Sequence, residues 1–178
     1  MTVPSPYQPD AAGRRVRRSF AFVDLSGFTA LTDQEGDERA VDVLTQFRNA
    51  VRGVAGFNGV RVAKWLGDGA MIVSIETEPL VEAVIEIQRR LGADASVLPL
   101  RAGLAADDVI LFEGDDYIGR SVNLAARLCD LAGPNQALAP VEMVGGAVDP
   151  PLVHTVTVKG MQPLEVVDLC ALRAHTTG

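Results

Sequence analysis

The sequence has few of the residues that build membrane spans, disulfide frameworks or histidine metal sites. No run of about 18 or more apolar residues occurs among its 178 residues, which excludes a membrane-spanning helix. Two cysteines, Cys129 and Cys170, cannot form a disulfide framework, and so low a number is typical of the reducing cytoplasm. His154 and His175 form no ligand cluster in the sequence. We therefore expect a cytoplasmic protein.

Positive charge is also in the minority. The chain has 16 Lys+Arg against 23 Asp+Glu and a formal net charge of -7. This balance argues against nucleic acid as the main partner, because the phosphate backbone is itself negative. It does not exclude a phosphate ligand that a metal ion bridges. The first residues, MTVPSPYQPD, lack the basic-then-apolar pattern of a signal peptide, so we do not expect secretion.

The remaining composition is that of one soluble globular domain. With 48% apolar and 22% charged residues, the chain is not globally disordered, and its length suits a single domain. Pro4, Pro6 and Pro9 predict a flexible N-terminal tail over 1–17, and this tail carries a basic patch at Arg14, Arg15, Arg17 and Arg18. We expect the domain to cover 18–172 and a C-terminal tail to cover 173–178.

Hydrophobic periodicity predicts the order of helices and strands. The predicted elements are a strand Ser19–Leu25, a helix from about Glu38 to Ala55, a hairpin of Val60–Leu66 and Ala70–Ile75, a helix over 80–91, a hairpin of Leu100–Ala106 and Val109–Glu113, a helix with Leu124, Leu128 and Leu131 on its inner face, and strands Val153–Val158 and Leu164–Leu169. This order predicts an α+β fold with a ferredoxin-like βαββαβ-type core. Its helices are expected on one face of a mainly antiparallel sheet.

Two carboxylates occur at predicted strand ends. Asp24 ends the first strand, and Asp68 occupies the Gly67-Asp68-Gly69 turn. If these strands are neighbours, the acids meet at one edge of the sheet, where they repel each other unless a cation lies between them. Two oxygen ligands favour Mg²⁺ or Mn²⁺, which retain water and bind substrate phosphates. The backbone amides of Leu25–Thr29 lead into a helix N-terminus, which is a natural phosphate cradle.

Each acid also has a purely structural interpretation. Asp68 is a good turn residue between two glycines, and Asp24 is a candidate helix cap. For either acid alone the structural interpretation is the better one. As a pair at matched strand ends, the metal-binding interpretation competes with it, and the residues by themselves leave both open.

Three segments resemble motifs of the class III nucleotidyl cyclases. Phe22–Thr29 (FVDLSGFT) is similar to their first metal motif, Lys64–Gly69 (KWLGDG) to their second, and Asp116–Arg127 (DYIGRSVNLAAR) to their transition-state motif. The three occur in the family's order, and the similarity covers roughly 19–169. The resemblance implies the cyclase fold and the catalytic domain of an adenylate cyclase of bacterial, mycobacterial type. Such an enzyme converts ATP to 3′,5′-cyclic AMP and pyrophosphate.

The resemblance also implies roles for single residues. Two Mg²⁺ or Mn²⁺ ions are expected per active site, and ATP is the expected substrate. The implied assignments are metal binding by Asp24 and Asp68, adenine recognition by Lys64 and Asp116, transition-state stabilisation by Asn123 and Arg127, and further substrate contacts from Phe28, Thr29 and Lys159. The match at Lys159 is loose, because Met161 stands where the family often has another lysine.

The chemistry of these side chains agrees with the implied roles. Lys64 only donates hydrogen bonds and ionised Asp116 only accepts them, which complements the N1 acceptor and N6 donor of adenine. Guanine presents the reverse pattern. Asn123 and Arg127 are four residues apart and share one helix face. Arg127 can bind phosphate oxygens through its fork, and Asn123 can hold the ribose.

The family resemblance further implies a head-to-tail homodimer with two shared active sites. One subunit supplies both metal acids, and the other supplies the adenine pair and the Asn/Arg pair. All six residues are present in this chain, so a homodimer suffices and a monomer is expected to be inactive. Two alternatives remain: a non-catalytic nucleotide-binding or dimerisation module of the same fold, and a guanylate-preferring cyclase.

One segment departs from the family pattern. Ala105-Ala106-Asp107 stands where many relatives have His-Thr-Gly, and we expect an altered hairpin loop there rather than lost chemistry. Trp65, next to Lys64, is predicted to face the opposite side of the sheet and to join the core. Cys129 is expected to serve packing.

Overall fold

The fold alternates strands and helices along most of the chain. A computed structural model describes residues 14–114, 116–145 and 148–176. Its elements are β1 (Arg14–Leu25), α1 (Phe28–Asn58), β2 (Arg61–Leu66), β3 (Gly69–Ser74), α2 (Thr77–Gly92), β4 (Leu100–Phe112), β5 (Asp116–Ile118), α3 (Arg120–Leu131), β6 (Ala137–Pro140), β7 (Val153–Val156), β8 (Leu164–Asp168) and α4 (Leu169–Thr176). None of the helices in these ranges is both long enough and apolar enough to cross a membrane.

The eight strands of the described ranges belong to one sheet. Their order is β2-β3-β1-β4-β6-β8-β7, and β5 pairs with the far end of β4. The β4–β6 pair is parallel, and the other pairs in the described ranges are antiparallel. The predicted α+β class with a mainly antiparallel sheet is therefore confirmed.

The helices occupy both faces of the sheet, whereas the sequence predicted one. Residues of α1 and α2 pack with Ala21 and Val23 of β1, while Leu128 of α3 packs with Phe20 on the other face. Gly103 of β4 makes the close approach of α3 possible. A Cβ at this position would lie less than 3.0 Å from backbone atoms of α3.

The first strand begins earlier than predicted. Arg14–Arg18 pair with β4 and extend the sheet, so the last residues of the predicted N-terminal tail are strand residues. Arg17 and Arg18 lie opposite Asp108 and Asp107, and facing charges of opposite sign favour this pairing. The rest of that predicted tail, 1–13, lies outside the described residues. At the other end, α4 continues to Thr176 through most of the predicted C-terminal tail.

The predicted hairpin over 100–113 is wrong, because β4 is one continuous strand. Its residues pair with β1 without interruption from Leu100 to Leu111. Ala105-Ala106-Asp107 therefore lies in mid-strand and forms no loop. As expected, a helix opens directly after Gly27: α1 begins at Phe28 and kinks at Gly36, so the predicted helix from about Glu38 to Ala55 is its second part. Neither β5 nor the buried strand β6 was predicted.

Candidate active site

The two predicted metal acids meet at one end of the sheet. Asp24 pairs in register with Gly69 of β3, directly after Asp68 in the β2–β3 turn. The Leu25 amide donates a hydrogen bond to the Asp68 carbonyl oxygen at 3.2 Å. A Cβ on Gly69 would lie 2.8 Å from the Val23 carbonyl oxygen and 3.0 Å from Asp24 Oδ1, so glycine lets the turn close against β1. The predicted juxtaposition is present, with β3 rather than β2 as the neighbour of β1.

Arg101 is a member of this site that sequence reasoning missed. It lies opposite Asp24 on β4, and its Nε and Nη2 donate hydrogen bonds to Asp24 Oδ2 at 2.9 and 2.6 Å. Burial raises the pKa of Asp24 above its ordinary value; the Arg101 hydrogen bonds oppose this shift, and the charge of Asp68 adds to it. The available signal was an arginine inside the otherwise apolar run Leu100–Ala106.

The donor set fits a hard divalent cation. Asp24 and Asp68 are both half-buried. Within the described ranges no group of three or more His, Cys, Asp or Glu side chains is arranged to hold a metal ion, so the candidate site rests on these two carboxylates. Two carboxylates leave several coordination positions to water and phosphate, which is the arrangement that Mg²⁺ and Mn²⁺ accept. Asp24 and Asp68 are therefore the residues that would hold such an ion.

The predicted adenine pair is formed within the chain. Lys64 of β2 makes an ion pair with Asp116, the first residue of β5, and about half of each side chain is exposed. Lys64 pairs with Met71, whose side chain is buried on the α3 face, so Lys64 lies on that face too. Trp65 packs on the opposite face, where the centroid of its ring lies 6.2 Å from that of Phe47. The side of the sheet predicted for Trp65 is therefore confirmed.

The predicted transition-state pair lies on the exposed face of α3. Asn123 and Arg127 are exposed, while Leu124 and Leu128 are buried. Leu131, which the sequence placed on the inner face, is 50% exposed, because it lies at the last position of the helix. Cys129 is buried against β4 as predicted.

Lys159 lies close to this pair. Arg127 donates a hydrogen bond to the Lys159 carbonyl oxygen, so the guanidinium contacts the loop that follows β7. The Lys159 side chain is exposed. The fold thus brings together two residues that the sequence separates, although the contact is made by the Lys159 backbone.

The predicted phosphate cradle is smaller than the sequence suggested. The Leu25 amide is bonded to Asp68, and the Ser26 amide donates to the Pro99 carbonyl oxygen at 2.8 Å. Gly27 adopts a left-handed conformation with φ 87° and turns the chain into α1 at Phe28. Phe28 is half-buried against the core and Thr29 is exposed. The amides from Gly27 onward therefore form what remains of the cradle.

None of these residues lines the cavity between α2 and α4. That cavity has a volume of about 590 Å³ and a largely apolar wall that includes Val81, Ile85 and Leu169. The candidate site is instead an open surface on the α3 face and at the end of β1.

Comparison with known proteins connects this geometry to one group of enzymes. No family model matches the chain. It is 43% identical over 141 residues to an uncharacterized protein of Mycobacterium tuberculosis, covering 78% of this chain and 37% of that protein. It is 29% identical over 122 residues to an adenylate cyclase of Streptomyces coelicolor, covering 68% and 32%. The chain thus spans about a third of the length of these curated relatives.

Solved structures share the fold. The guanylyl cyclase Cya2 superposes with a TM-score of 0.74 at 23% identity, covering 88% of this chain and 93% of that one. The adenylyl cyclase CyaB from P. aeruginosa gives a TM-score of 0.70 at 23% identity, covering 87% and 94%. This chain therefore has the fold of the class III nucleotidyl cyclase catalytic domains, and its sequence is similar to that of adenylate cyclases.

Proposed function

We propose that the chain is the catalytic domain of an adenylate cyclase, which converts ATP to 3′,5′-cyclic AMP and pyrophosphate. The observation that carries this proposal is the meeting of Asp24 and Asp68 at one sheet end, with Asp24 in register with Gly69. Two adjacent carboxylates are suitable ligands for the divalent metal ions that catalyse phosphoryl transfer. Adenylate cyclases among the sequence relatives support the choice of activity.

Asp24 and Asp68 would hold Mg²⁺ or Mn²⁺, two ions per active site. Bound there, the ions supply activation of the ribose 3′-oxygen and neutralise charge on the phosphates. The chain itself contributes two carboxylates and a short run of helix N-terminal amides from Gly27 onward. No side chain in our assignment acts as a general base, so we propose proton removal by the substrate or by solvent.

The Lys64–Asp116 pair supports ATP as the substrate. The ion pair places a hydrogen-bond donor beside an acceptor on one exposed surface, as the N1 and N6 edge of adenine requires. Guanine would place a donor against Lys64 and an acceptor against Asp116. Each mismatch that substrate binding buries costs about 1–3 kcal/mol, which corresponds to roughly 5- to 150-fold in selectivity.

Arg127 and Asn123 are assigned to the transition state. Both are exposed on α3, and four-residue spacing directs them to the same side. Arg127 would bind the developing charge on the α-phosphate, while Asn123 would orient the ribose. Phe28, Thr29 and Lys159 complete the proposed substrate contacts, since Phe28 and Thr29 begin α1 and Arg127 contacts the Lys159 backbone.

The active domain is proposed to be a head-to-tail homodimer. The candidate site is an open surface in one chain, and the Arg127 hydrogen bond goes to the Lys159 loop rather than to the acids. A second copy would enclose the substrate by bringing its own adenine pair and Arg127 opposite Asp24 and Asp68. Twofold symmetry would then generate two equivalent sites.

An assay with purified protein tests the proposed activity. The chain is incubated with Mn²⁺ and either ATP or GTP, and cyclic nucleotide and pyrophosphate are quantified together. We expect cyclic AMP and pyrophosphate in equal amounts, with at least about 10-fold less cyclic GMP. Absence of both products would favour the non-catalytic module, and an excess of cyclic GMP would favour the guanylate-preferring cyclase.

Mixing two inactive variants tests the shared active site. The variants Asp68→Asn and Arg127→Ala are each expected to be inactive. In a mixed dimer one site carries both changes and the other carries neither, and random mixing makes half of the dimers mixed. We therefore expect roughly a quarter of the wild-type rate after subunit exchange, because a twofold dimer has two equivalent sites.

Two controls accompany the mixing experiment. Each variant alone is carried through the same exchange procedure and must remain inactive. Sedimentation of the mixture shows whether dimers form. A mixture that contains dimers and is as inactive as its components would contradict a site shared between subunits.

A further inference from the structure

The carboxylate of Asp24 has two different environments at its two oxygens. Oδ2 accepts both hydrogen bonds from Arg101, from Nε at 2.9 Å and from Nη2 at 2.6 Å. Oδ1 lies on the side of the Asp68-Gly69 turn, since a Cβ on Gly69 would be 3.0 Å from it. Among the described residues, none donates a hydrogen bond to Oδ1. One oxygen is thus held by Arg101, and the other faces the Asp68-Gly69 turn.

The strand pairing makes this division a property of the fold. Asp24 and Arg101 are cross-strand partners on β1 and β4, and both side chains are mostly shielded from solvent, with 23% and 30% of their surface exposed. The last torsion of an aspartate is soft and allows the carboxylate to rotate. Two donors on one oxygen remove that freedom. A guanidinium provides them in a fixed fork, which an ammonium group does not.

We propose that Arg101 is a positioning residue for the metal site: it holds Oδ2 of Asp24 and thereby presents Oδ1 to a divalent cation shared with Asp68. This inference rests on the proposed metal-binding role of the two acids. Groups that hydrogen-bond to a metal ligand orient it, and their loss typically lowers metal affinity about 10–100-fold. The positive charge of Arg101 by itself lowers the affinity of the site for a metal ion, because it repels a cation.

Two variants separate orientation from charge. Arg101→Lys keeps the positive charge but loses the fork, and Arg101→Met removes both. Arg89→Lys is the matched control, because Arg89 also donates through Nε and Nη2 to one carboxylate, that of Glu86, on a helix remote from the acids. Thermal melting of the metal-free proteins shows which variants fold. If Arg101→Met does not fold, Arg101→Lys alone carries the test.

The test is a titration of the nucleotide-free protein with Mn²⁺. The electron paramagnetic resonance signal of free Mn²⁺ measures how much of the ion is bound. We expect Arg101→Lys and Arg101→Met to raise the Mn²⁺ dissociation constant about 10-fold or more, and Arg89→Lys to leave it unchanged. Unchanged affinity in folded Arg101→Lys would overturn the positioning role. Tighter binding by Arg101→Met would overturn it too, because Arg101 would then be a competitor of the cation.

The same titration distinguishes failure of this inference from failure of the proposed function. If wild-type protein binds no Mn²⁺, or if Asp68→Asn binds it as well as wild type does, the metal site itself is wrongly assigned. If wild type binds Mn²⁺ and Asp68→Asn does not, the metal site stands, and the Arg101 variants alone decide the positioning role.

Discussion

Replacing Asp68 by asparagine is expected to lower the rate of cyclic nucleotide formation roughly a thousandfold while the domain stays folded. Metal ions contribute several kcal/mol of transition-state stabilisation, and each 1.4 kcal/mol or so corresponds to about tenfold in rate. Asparagine keeps the shape of the half-buried Asp68 side chain between Gly67 and Gly69 but removes the charge that would bind the cation. Initial rates at saturating Mn²⁺ and ATP, with melting by circular dichroism, measure both effects.

The matched control for this change is Asp42→Asn. Asp42 is an exposed acid on α1 that takes no part in the candidate site. The Asp42→Asn variant is therefore expected to form cyclic nucleotide at the wild-type rate. Asp24→Asn should lose activity as Asp68→Asn does, and it should also be less stable because Arg101 loses its charged partner. A rate above about a tenth of wild type in folded Asp68→Asn, where about a thousandfold loss is expected, would contradict the metal assignment.

Gly103→Leu is expected to lower the free energy of unfolding by about 3 kcal/mol or more, at the upper end of the cost of overpacking. A Cβ at this position would lie less than 3.0 Å from backbone atoms of Ala125, Leu128 and Cys129. Backbone atoms in a packed helix cannot move aside as the end of a flexible side chain can. The helix must therefore shift away from the sheet, and Asn123 and Arg127 shift with it. Urea denaturation gives the loss of stability, and the cyclase assay gives the accompanying loss of rate.

A second glycine serves as the control for this effect. Gly56 lies inside α1, and a Cβ there would have no neighbour within 4 Å. Gly56→Ala is expected to raise stability by about 0.5–1 kcal/mol, because alanine favours the helix more than glycine does. If Gly103→Ala and Gly103→Leu both unfold at the urea concentration of wild type, the close contact between α3 and β4 is not a feature of the folded protein.

Local signals predicted much of the fold. The apolar runs around Gly67-Asp68-Gly69 predicted the β2–β3 hairpin, and periodicity placed α2 and α3 close to their observed positions. The sequence predicted two strands over 100–113, interrupted at Asp107 and Asp108. In the folded protein both aspartates face arginines of β1, and this pairing, which is distant in sequence, keeps the strand continuous.

The candidate site also has residues that local motifs predicted and one residue that only the folded structure shows. Short motifs predicted Asp24, Asp68, Lys64 and Asp116 as candidate site residues, because each motif carries its chemistry within a few neighbouring residues. Arg101 belongs to the Arg-x-Gly strand of the family pattern, but the sequence interpretation assigned it no role. Its importance follows from its position opposite Asp24 in the sheet, a pairing between residues that are far apart in the chain.

The amino-acid order by itself determined which side chains offer chemistry and which segments form helices and strands, since both depend on spacing over a few residues. Tertiary structure alone decided that α3 packs opposite α1 and α2, that β3 separates β1 from β2, and that Arg101 holds one oxygen of Asp24. The physical reason is the distance along the chain between the residues that interact. Strand register and helix placement come from burial and pairing between distant residues, and no local pattern encodes them.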